Sequence, residues 1–275
     1  MATKAKKIKV GIVGCGAIGS RIAQSMFDEL KNECHLTGIY DIIEEKSKDL
    51  ARQLKHPNMV KRSLKNLIAS CDLMVEAVNA KSTHNIILQA IKAKRHVLAM
   101  SVGKLLNEQN LFRLANRYNC HILLPSGAIA GIDAIKAASL VAIEQITLTT
   151  RKPITGFGYN QYLQKRNIDL SKIQEETVLF DGDVDTAVKL FPQNINVAAT
   201  LAMASGAKSK MRIRILTSPH YTTNSHEIEV MGDFGRMVTR TENVVCPDNP
   251  KTSYLAVLSG IQTLKQFCQS LKIGT

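Results

Sequence analysis

The sequence predicts an α/β chain, with a doubly wound parallel sheet in its first part and an α+β region in its second. Short apolar, β-branched runs alternate with helical patterns as far as residue 125. A glycine-rich turn follows the first of those runs, and beyond residue 126 the alternation gives way to longer, half-polar strands. The length, 275 residues, exceeds the ordinary size of one domain. Two are expected: residues 1–125, completed by a terminal helix at 253–275, and residues 126–252.

Residues 8–13 (IKVGIV) read as the first strand, and Ile18, Ile22, Met26 and Leu30 recur every four residues in the helix after it. Residues 36–40 form a second strand that stops at Asp41, and the charged stretch 44–55 reads as an exposed helix. The next buried strand is 72–78. Ser82 or Thr83 can cap a helix over 85–93, and strands at 96–101 and 121–124 flank a helix over 105–118. Such alternation specifies a parallel sheet covered on both faces. In the second region a helix is expected over 129–142, strands at 146–150 and 177–181, and one helix through 184–203. Strands at 211–216 and 226–230 follow. Leu255, Leu258, Ile261, Leu264, Phe267 and Leu271 then mark a terminal amphipathic helix over 253–271.

A hydrophobic share of 45% with 21% charged residues is that of an ordinary globular chain. No apolar run approaches the roughly 20 residues that span a bilayer, and the basic start has no apolar signal core behind it, so a cytoplasmic protein is expected. The six cysteines never form a C-x-x-C pair, which suggests reduced, mostly buried thiols and neither a metal cluster nor a disulfide framework. The formal charge of +13 is scattered over 4–9, 61–65, 92–95 and 208–214, without Trp or an aromatic-interleaved stripe. It is read as serving small anions, not nucleic acid.

Gly14-Cys15-Gly16-Ala17-Ile18-Gly19 fits G-x-G-x-x-G, directly after a predicted strand and at the opening of a predicted helix. In a Rossmann fold the three glycines serve the tight turn, close approach of a pyrophosphate, and packing of helix on strand. The backbone N–H groups at the helix start, those of Ala17 and Ile18, then hold the phosphates. Asp41, at the end of the second strand, is placed to accept hydrogen bonds from the adenosine ribose, and its charge repels a 2′-phosphate. No arginine follows in 42–45, so NAD is favoured over NADP, with acceptance of NADP left open. The competing role for Asp41 is to cap the next helix.

Five stretches in the second region carry a resemblance: P-S-G-A-I-A-G-I-D at 125–133, T-R-K-P at 150–153, F-P-Q-N-I-N-V-A-A-T at 191–200, N-S-H-E-I at 224–228 and N-P-K-T-S at 249–253. Together they resemble the L-aspartate dehydrogenase family, over residues 7–260. The resemblance implies a homodimeric NAD(P)-dependent enzyme that oxidises L-aspartate to iminoaspartate, the hydride leaving Cα, as the first step of NAD biosynthesis. It also implies that the second domain holds substrate and builds the dimer, and that the imine passes to quinolinate synthase. By motif, His226 matches the family's active-site histidine, and Ala128 and Asn196 match its cofactor contacts near the nicotinamide end. The chain departs from the pattern at Thr217-Ser218-Pro219, where an Asp is expected before the proline.

Oxidising an amino acid needs a proton acceptor for the amine and groups that fix both carboxylates. Histidine suits the first task, and seven compete: His35, His56, His84, His96, His121, His220 and His226. His226 opens a strand after a polar loop, while His56, His84, His96 and His121 read as structural. For the carboxylates, Lys251, Thr252 and Ser253 offer an ammonium and two hydroxyls at a predicted helix start, or else only cap that helix. Asn194 and Asn196 interrupt an apolar helix and need buried partners, either ligand or protein. Arg151 and Lys152 read as loop residues before Pro153, either solvated surface charges or substrate contacts, and Glu76 as structural or a contact to cofactor hydroxyls. Two rival readings stand beside the dehydrogenase: a reductase of the dihydrodipicolinate or homoserine dehydrogenase type, and a non-catalytic NAD(H)-binding redox sensor.

Overall fold

The first strand, β1 (Ile8–Val13), lies inside a sheet, and its Val10 and Ile12 have no exposed surface. It leads into α1 (Ala17–Ser25), β2 (Cys34–Tyr40), α2 (Glu44–Gln53), α3 (Leu64–Ser70) and β3 (Leu73–Glu76). Then come α4 (Thr83–Lys92), β4 (His96–Ala99), α5 (Gln109–Arg117) and β5 (Ile122–Leu123). The strands pair in parallel in the order β2-β1-β3-β4-β5. Connectivity reverses between β1 and β3, the point where parallel α/β sheets take their ligands. Residues Leu73, Met74, Val75, Val97 and Leu98 are fully buried, which is why these strands read as continuous apolar runs.

This is the Rossmann-type sheet expected, with local differences. Helix α1 ends at Ser25, whose hydroxyl donates back to the Ile22 carbonyl, and Leu30 reaches the core from a turn. α5 starts only at Gln109, because Val102–Leu105 winds as a 3-10 turn. α3 was not expected; Ser63 caps it by accepting from the Asn66 N–H. The computed structural model describes residues 7–78, 81–191, 195–246 and 249–274, without the side chains of 249–251.

The chain divides into two units, Met1–Pro125 with Val257–Lys272, and Ser126–Ala256 with Ile273–Thr275. The second contains α6 (Ile132–Ala138), β6 (Ile143–Pro153), α7 (Gln161–Lys165), β7 (Thr177–Gly182), α8 (Val184–Leu190) and α9 (Asn196–Ser205). It continues through β8 (Met211–Ser218), β9 (Asn224–Gly232), β10 (Gly235–Asn243), β11 (Val245–Cys246) and β12 (Asn249–Ser253). The main sheet has the order β10-β9-β6-β8-β7, parallel only between β6 and β8. Ile146, Leu148, Ile213, Ile215, Ile228 and Val230 are buried on one side of it, while Arg212, Arg236 and Arg240 stay at the surface in ion pairs on the other.

Several boundaries differ from expectation for identifiable reasons. The helix expected over 129–142 begins at Ile132, because Gly131 adopts φ 82°, a left-handed conformation that no helix interior accepts. The helix expected over 184–203 breaks at Phe191, the residue before Pro192, where the α conformation is sterically disfavoured. Strand β10 escaped the sequence reading because its buried-side positions Thr239, Thr241 and Asn243 are polar and leave no hydrophobic alternation.

The last helix, α10 (Tyr254–Cys268), belongs from Val257 onward to the first unit. Val257 and Leu264 are fully buried there. Gly260 lets the helix sit close, since a Cβ at that position would meet Met100 Sδ at 2.8 Å. Burying side chains of this kind contributes roughly 1.5–3 kcal/mol each, enough to hold the helix on the sheet domain. No helix among the described residues is long and apolar enough to cross a membrane.

Candidate active site

In the first unit, the glycine turn divides its work as the motif requires. Gly14 has φ 95°, and a Cβ on it would lie 2.6 Å from the Ala77 carbonyl oxygen. A Cβ on Gly19 would lie 1.9 Å from the Gly14 oxygen, so the turn closes only without a side chain. Gly16 is different: its Cβ would meet no atom within 4 Å, which leaves the space above the turn open. Gly16 also precedes α1, and no side chain caps that helix start, so the N–H groups of Ala17 and Ile18 face the same space.

Asp41 accepts the Cys15 N–H at 2.8 Å with one carboxylate oxygen and the Ile43 N–H at 2.9 Å with the other. It does not cap α2, whose N-cap is Ile43. Each oxygen keeps a lone pair for a diol. Open glycine, bare helix start and acidic acceptor together fit a dinucleotide. Glu76, fully buried at the end of β3, accepts from the Val78 and Ser101 N–H groups and from the Thr83 and Ser101 hydroxyls. Burial raises its ionisation from the ordinary carboxylate value, and these donors oppose that rise. Its bonds join the ends of β3 and β4 to the start of α4, in keeping with the structural alternative of the two expected for it.

In the second unit, polar residues are buried together at one end of the main sheet. Thr150 on β6 faces His226 on β9, and its hydroxyl lies 3.0 Å from the imidazole Nδ1. Lys152 falls two positions after Thr150, on the same side of the strand, and only 9% of it is exposed. Thr217, opposite Lys152 on β8, donates its hydroxyl to the Lys152 carbonyl at 2.8 Å. Thr241 lies opposite His226 on β10, and Asn243 opposite Asn224. Thr241 Oγ1 and Asn243 Nδ2 both donate to the Ala128 carbonyl, at 2.7 and 3.1 Å, which pins the 126–131 loop against the cluster.

Two cationic groups share this buried region, and each is held below its ordinary ionisation. Burial, and then the charge of Lys152, push His226 from 6.5 down to about 3. Burial pushes Lys152 from 10.5 to about 8. At neutral pH the imidazole is therefore neutral and the ammonium still charged. This revises an ionisation near 6.5 for His226, the value its residue type alone suggests.

The difference has a consequence for stability. Below pH 6.5 the unfolded chain protonates His226, whereas the folded one resists until about 3. The unfolded state binds more protons in that window, so stability falls as pH drops through it. His226→Gln is expected to show a shallower decline of Tm from pH 6.5 towards 3 than the parent chain. Equal slopes in a pH series of thermal melts would mean that the imidazole titrates freely in the folded protein.

The structure brings some of the sequence candidates together and corrects others. Ala128 is buried and held at the His226 cluster, and Asn196 opens α9. Ser253, buried, accepts from Asn224 Nδ2 at 3.5 Å, and Thr252 is half-buried. Lys251, Thr252 and Ser253 do not start a helix, however: they lie in β12, which pairs with β11 through Ser253 and Asn249, and α10 begins at Tyr254. An anion site at a helix start does not describe Lys251 or Thr252. Asn194 and the side chain of Lys251 lie outside the described residues. Arg151 and Lys152 are not loop charges, because β6 runs on to Pro153. Arg151 turns to the opposite side and pairs with Glu176 and Glu227.

Thr150, Asn224, Thr241 and Asn243 were not singled out for the site, and Lys152 was weighed for a substrate role only as a loop residue. The usable signal was the two-residue spacing of Thr150 and Lys152, legible only once the strand is extended past residue 150. Of the remaining histidines, His56 stacks on Phe27, and His96 stacks on His121 against Phe267, all packing roles.

Comparison with known proteins falls on both units. Residues 14–125 match the family described as homoserine dehydrogenase, NAD binding domain, and residues 133–267 match aspartate dehydrogenase, C-terminal. An L-aspartate dehydrogenase of Methanosarcina barkeri is 41% identical over 271 residues, 98% of this chain and 100% of the relative. One of Methanococcus maripaludis is 37% identical over 272 residues, again 98% and 100%. Among solved structures, an aspartate dehydrogenase of Thermotoga maritima is similar in fold, with TM-score 0.74 and 24% identity over 98% of this chain and 100% of that one. A homoserine dehydrogenase of Thiobacillus denitrificans superposes less well, with TM-score 0.59 and 13% identity over 96% and 73%.

Proposed function

The chain belongs to the L-aspartate dehydrogenase family, and from that premise we propose that it oxidises L-aspartate to iminoaspartate with NAD. The observation that carries the reading is the buried pair of neutral His226 and charged Lys152, which a redox sensor without turnover has no use for. Bound at the glycine turn, the nicotinamide cofactor supplies the hydride acceptor. Thr150 fixes the His226 ring through Nδ1, and Nε2 is the atom that takes the proton of the substrate amine. Lys152 binds a carboxylate of the substrate. Ser253, held by Asn224, contributes its hydroxyl beside them, and Ala128 and Asn196 remain cofactor contacts on the strength of their motif match.

Asp41 sets the preference for NAD over NADP, and Asp41→Ala tests this. Loss of the carboxylate removes the ribose acceptor and also the partner of the Cys15 N–H. NAD affinity is expected to fall about 10-fold or more, since hydrogen bonds to charged groups contribute roughly 1.5–3 kcal/mol. The NAD/NADP ratio of kcat/KM should narrow. An unchanged ratio would take Asp41 out of the ribose site.

The same reading makes the protein a cytoplasmic homodimer built by its second domain, which passes the unstable imine to quinolinate synthase in NAD biosynthesis. A spectrophotometric screen of amino acids with NAD and NADP tests the activity. L-aspartate should drive cofactor reduction and L-homoserine should not. Turnover of homoserine alone would move the chain to the homoserine dehydrogenase reading.

A further inference from the structure

Two of the cysteines, far apart in sequence, meet in space. Cys34 is the first residue of β2 and Cys268 the last of α10, 234 positions later, and their Sγ atoms lie 3.3 Å apart. Cys34 is buried, whereas Cys268 is partly open to solvent. The end of α10 is held in place from both sides of the pair. Phe267 packs on His96 and His121, with ring centroids at 5.1 and 5.9 Å, and Gln269 Nε2 donates to Glu33 at 3.4 Å. Both sulfurs belong to the first unit.

We propose that Cys34 and Cys268 form a reversible disulfide, a modification site that responds to small-molecule disulfides of the glutathione type. The reaction is two exchanges. The Cys268 thiolate attacks one sulfur of the oxidised glutathione, breaks its S–S bond and releases one glutathione thiol. Cys34 then gives up its proton and attacks Cys268 Sγ, and the second glutathione leaves as a thiol. The two protein thiols are oxidised, and one external disulfide is reduced to two thiols.

Roles within the pair follow from its surroundings. The hydrogen bond between the two sulfurs and burial raise Cys34, while the same bond holds Cys268 below an ordinary thiol, with Lys272 assisting and Glu33 opposing. The more exposed sulfur is thus the better thiolate, and it is the one an external disulfide can reach. The resulting crosslink would join β2 to α10 across almost the whole chain. A closure of that length removes a large part of the unfolded chain's freedom. It lies away from the cofactor turn, because Cys34 and Asp41 flank opposite ends of β2, roughly 20 Å apart.

The test is to equilibrate the full chain in buffers of oxidised and reduced glutathione, alkylate the remaining thiols, and map the peptides by mass spectrometry beside a thermal melt. A peptide linked through Cys34 and Cys268 is expected, with Tm raised by roughly 5–15 °C and restored by dithiothreitol. NAD affinity should not change. Cys268→Ser, at a partly exposed position, should form no linked peptide and show a Tm that ignores the redox buffer. Two free thiols in the most oxidising buffer, Cys268 stopping as a mixed disulfide with glutathione, or a crosslink that leaves Tm unmoved would each overturn the proposal. All of these readouts are independent of aspartate turnover, so they stand or fall apart from the function proposed above.

Discussion

Replacing His226 by Ala is expected to lower kcat by about 10²- to 10⁴-fold, the usual contribution of a positioned acid–base group. NAD affinity should change far less than kcat, because the glycine turn and Asp41 lie in the other unit. The pH dependence separates this role from a merely binding one. In the free protein the imidazole ionises near 3, so the kcat/KM profile should show no limb near 6.5 that the variant loses. Burial is the larger cause of the low ionisation of His226 and persists with substrate bound; a carboxylate against Lys152 offsets only the smaller one, so the ionisation rises in the complex and belongs in the kcat profile. If the ring only hydrogen-bonds the substrate, KM should rise while kcat stays. Steady-state kinetics of His226→Ala with both constants at parent values would remove the residue from the reaction.

The second large effect concerns Lys152→Met. Removing one member of a buried charge pair costs roughly 2–5 kcal/mol, so kcat/KM for L-aspartate should fall about 30- to 5000-fold, mostly through KM. Stability should move the other way or not at all. Burial disfavours the ammonium, as its fall to about 8 shows, and Met fills similar volume without a charge to desolvate. Lys152 is charged below that value and neutral above it, so affinity for aspartate should weaken as pH rises through about 8. Lys152→Met with an unchanged KM, or with a Tm several degrees lower, would mean that the lysine serves the fold.

The two units differ in how much their sequence discloses, and the difference is physical. In the first, strands buried on both faces carry uninterrupted apolar runs, so β1, β3 and β4 were read in the right places, and the glycines of the turn announce themselves by spacing. In the second, the elements that carry the site have polar residues where a core would be apolar. Thr150, Lys152, Thr241 and Asn243 lie on the buried side of their strands; Lys152 hid the extension of β6 past residue 150, and Thr241 and Asn243 hid β10 altogether. Function erased the pattern that locates it. His226 was reached through its motif, not through periodicity, and Lys152 was mistaken for a loop residue because a charge beside Pro153 reads as surface. The close approach of Cys34 to Cys268 had no local signal at all, since it depends on α10 returning to the first unit.

Asp41 bears on how this chain can diversify. Its carboxylate joins the glycine turn, through Cys15, to the start of the next loop, through Ile43. On the role proposed for Asp41, coenzyme preference and the order of the turn are inherited through a single codon. A lineage drifting towards NADP cannot exchange this residue for a small neutral one and add a basic neighbour, as a modular pocket would permit. It must first acquire another acceptor for the Cys15 N–H, and the order of those two steps decides which intermediates keep a working cofactor site.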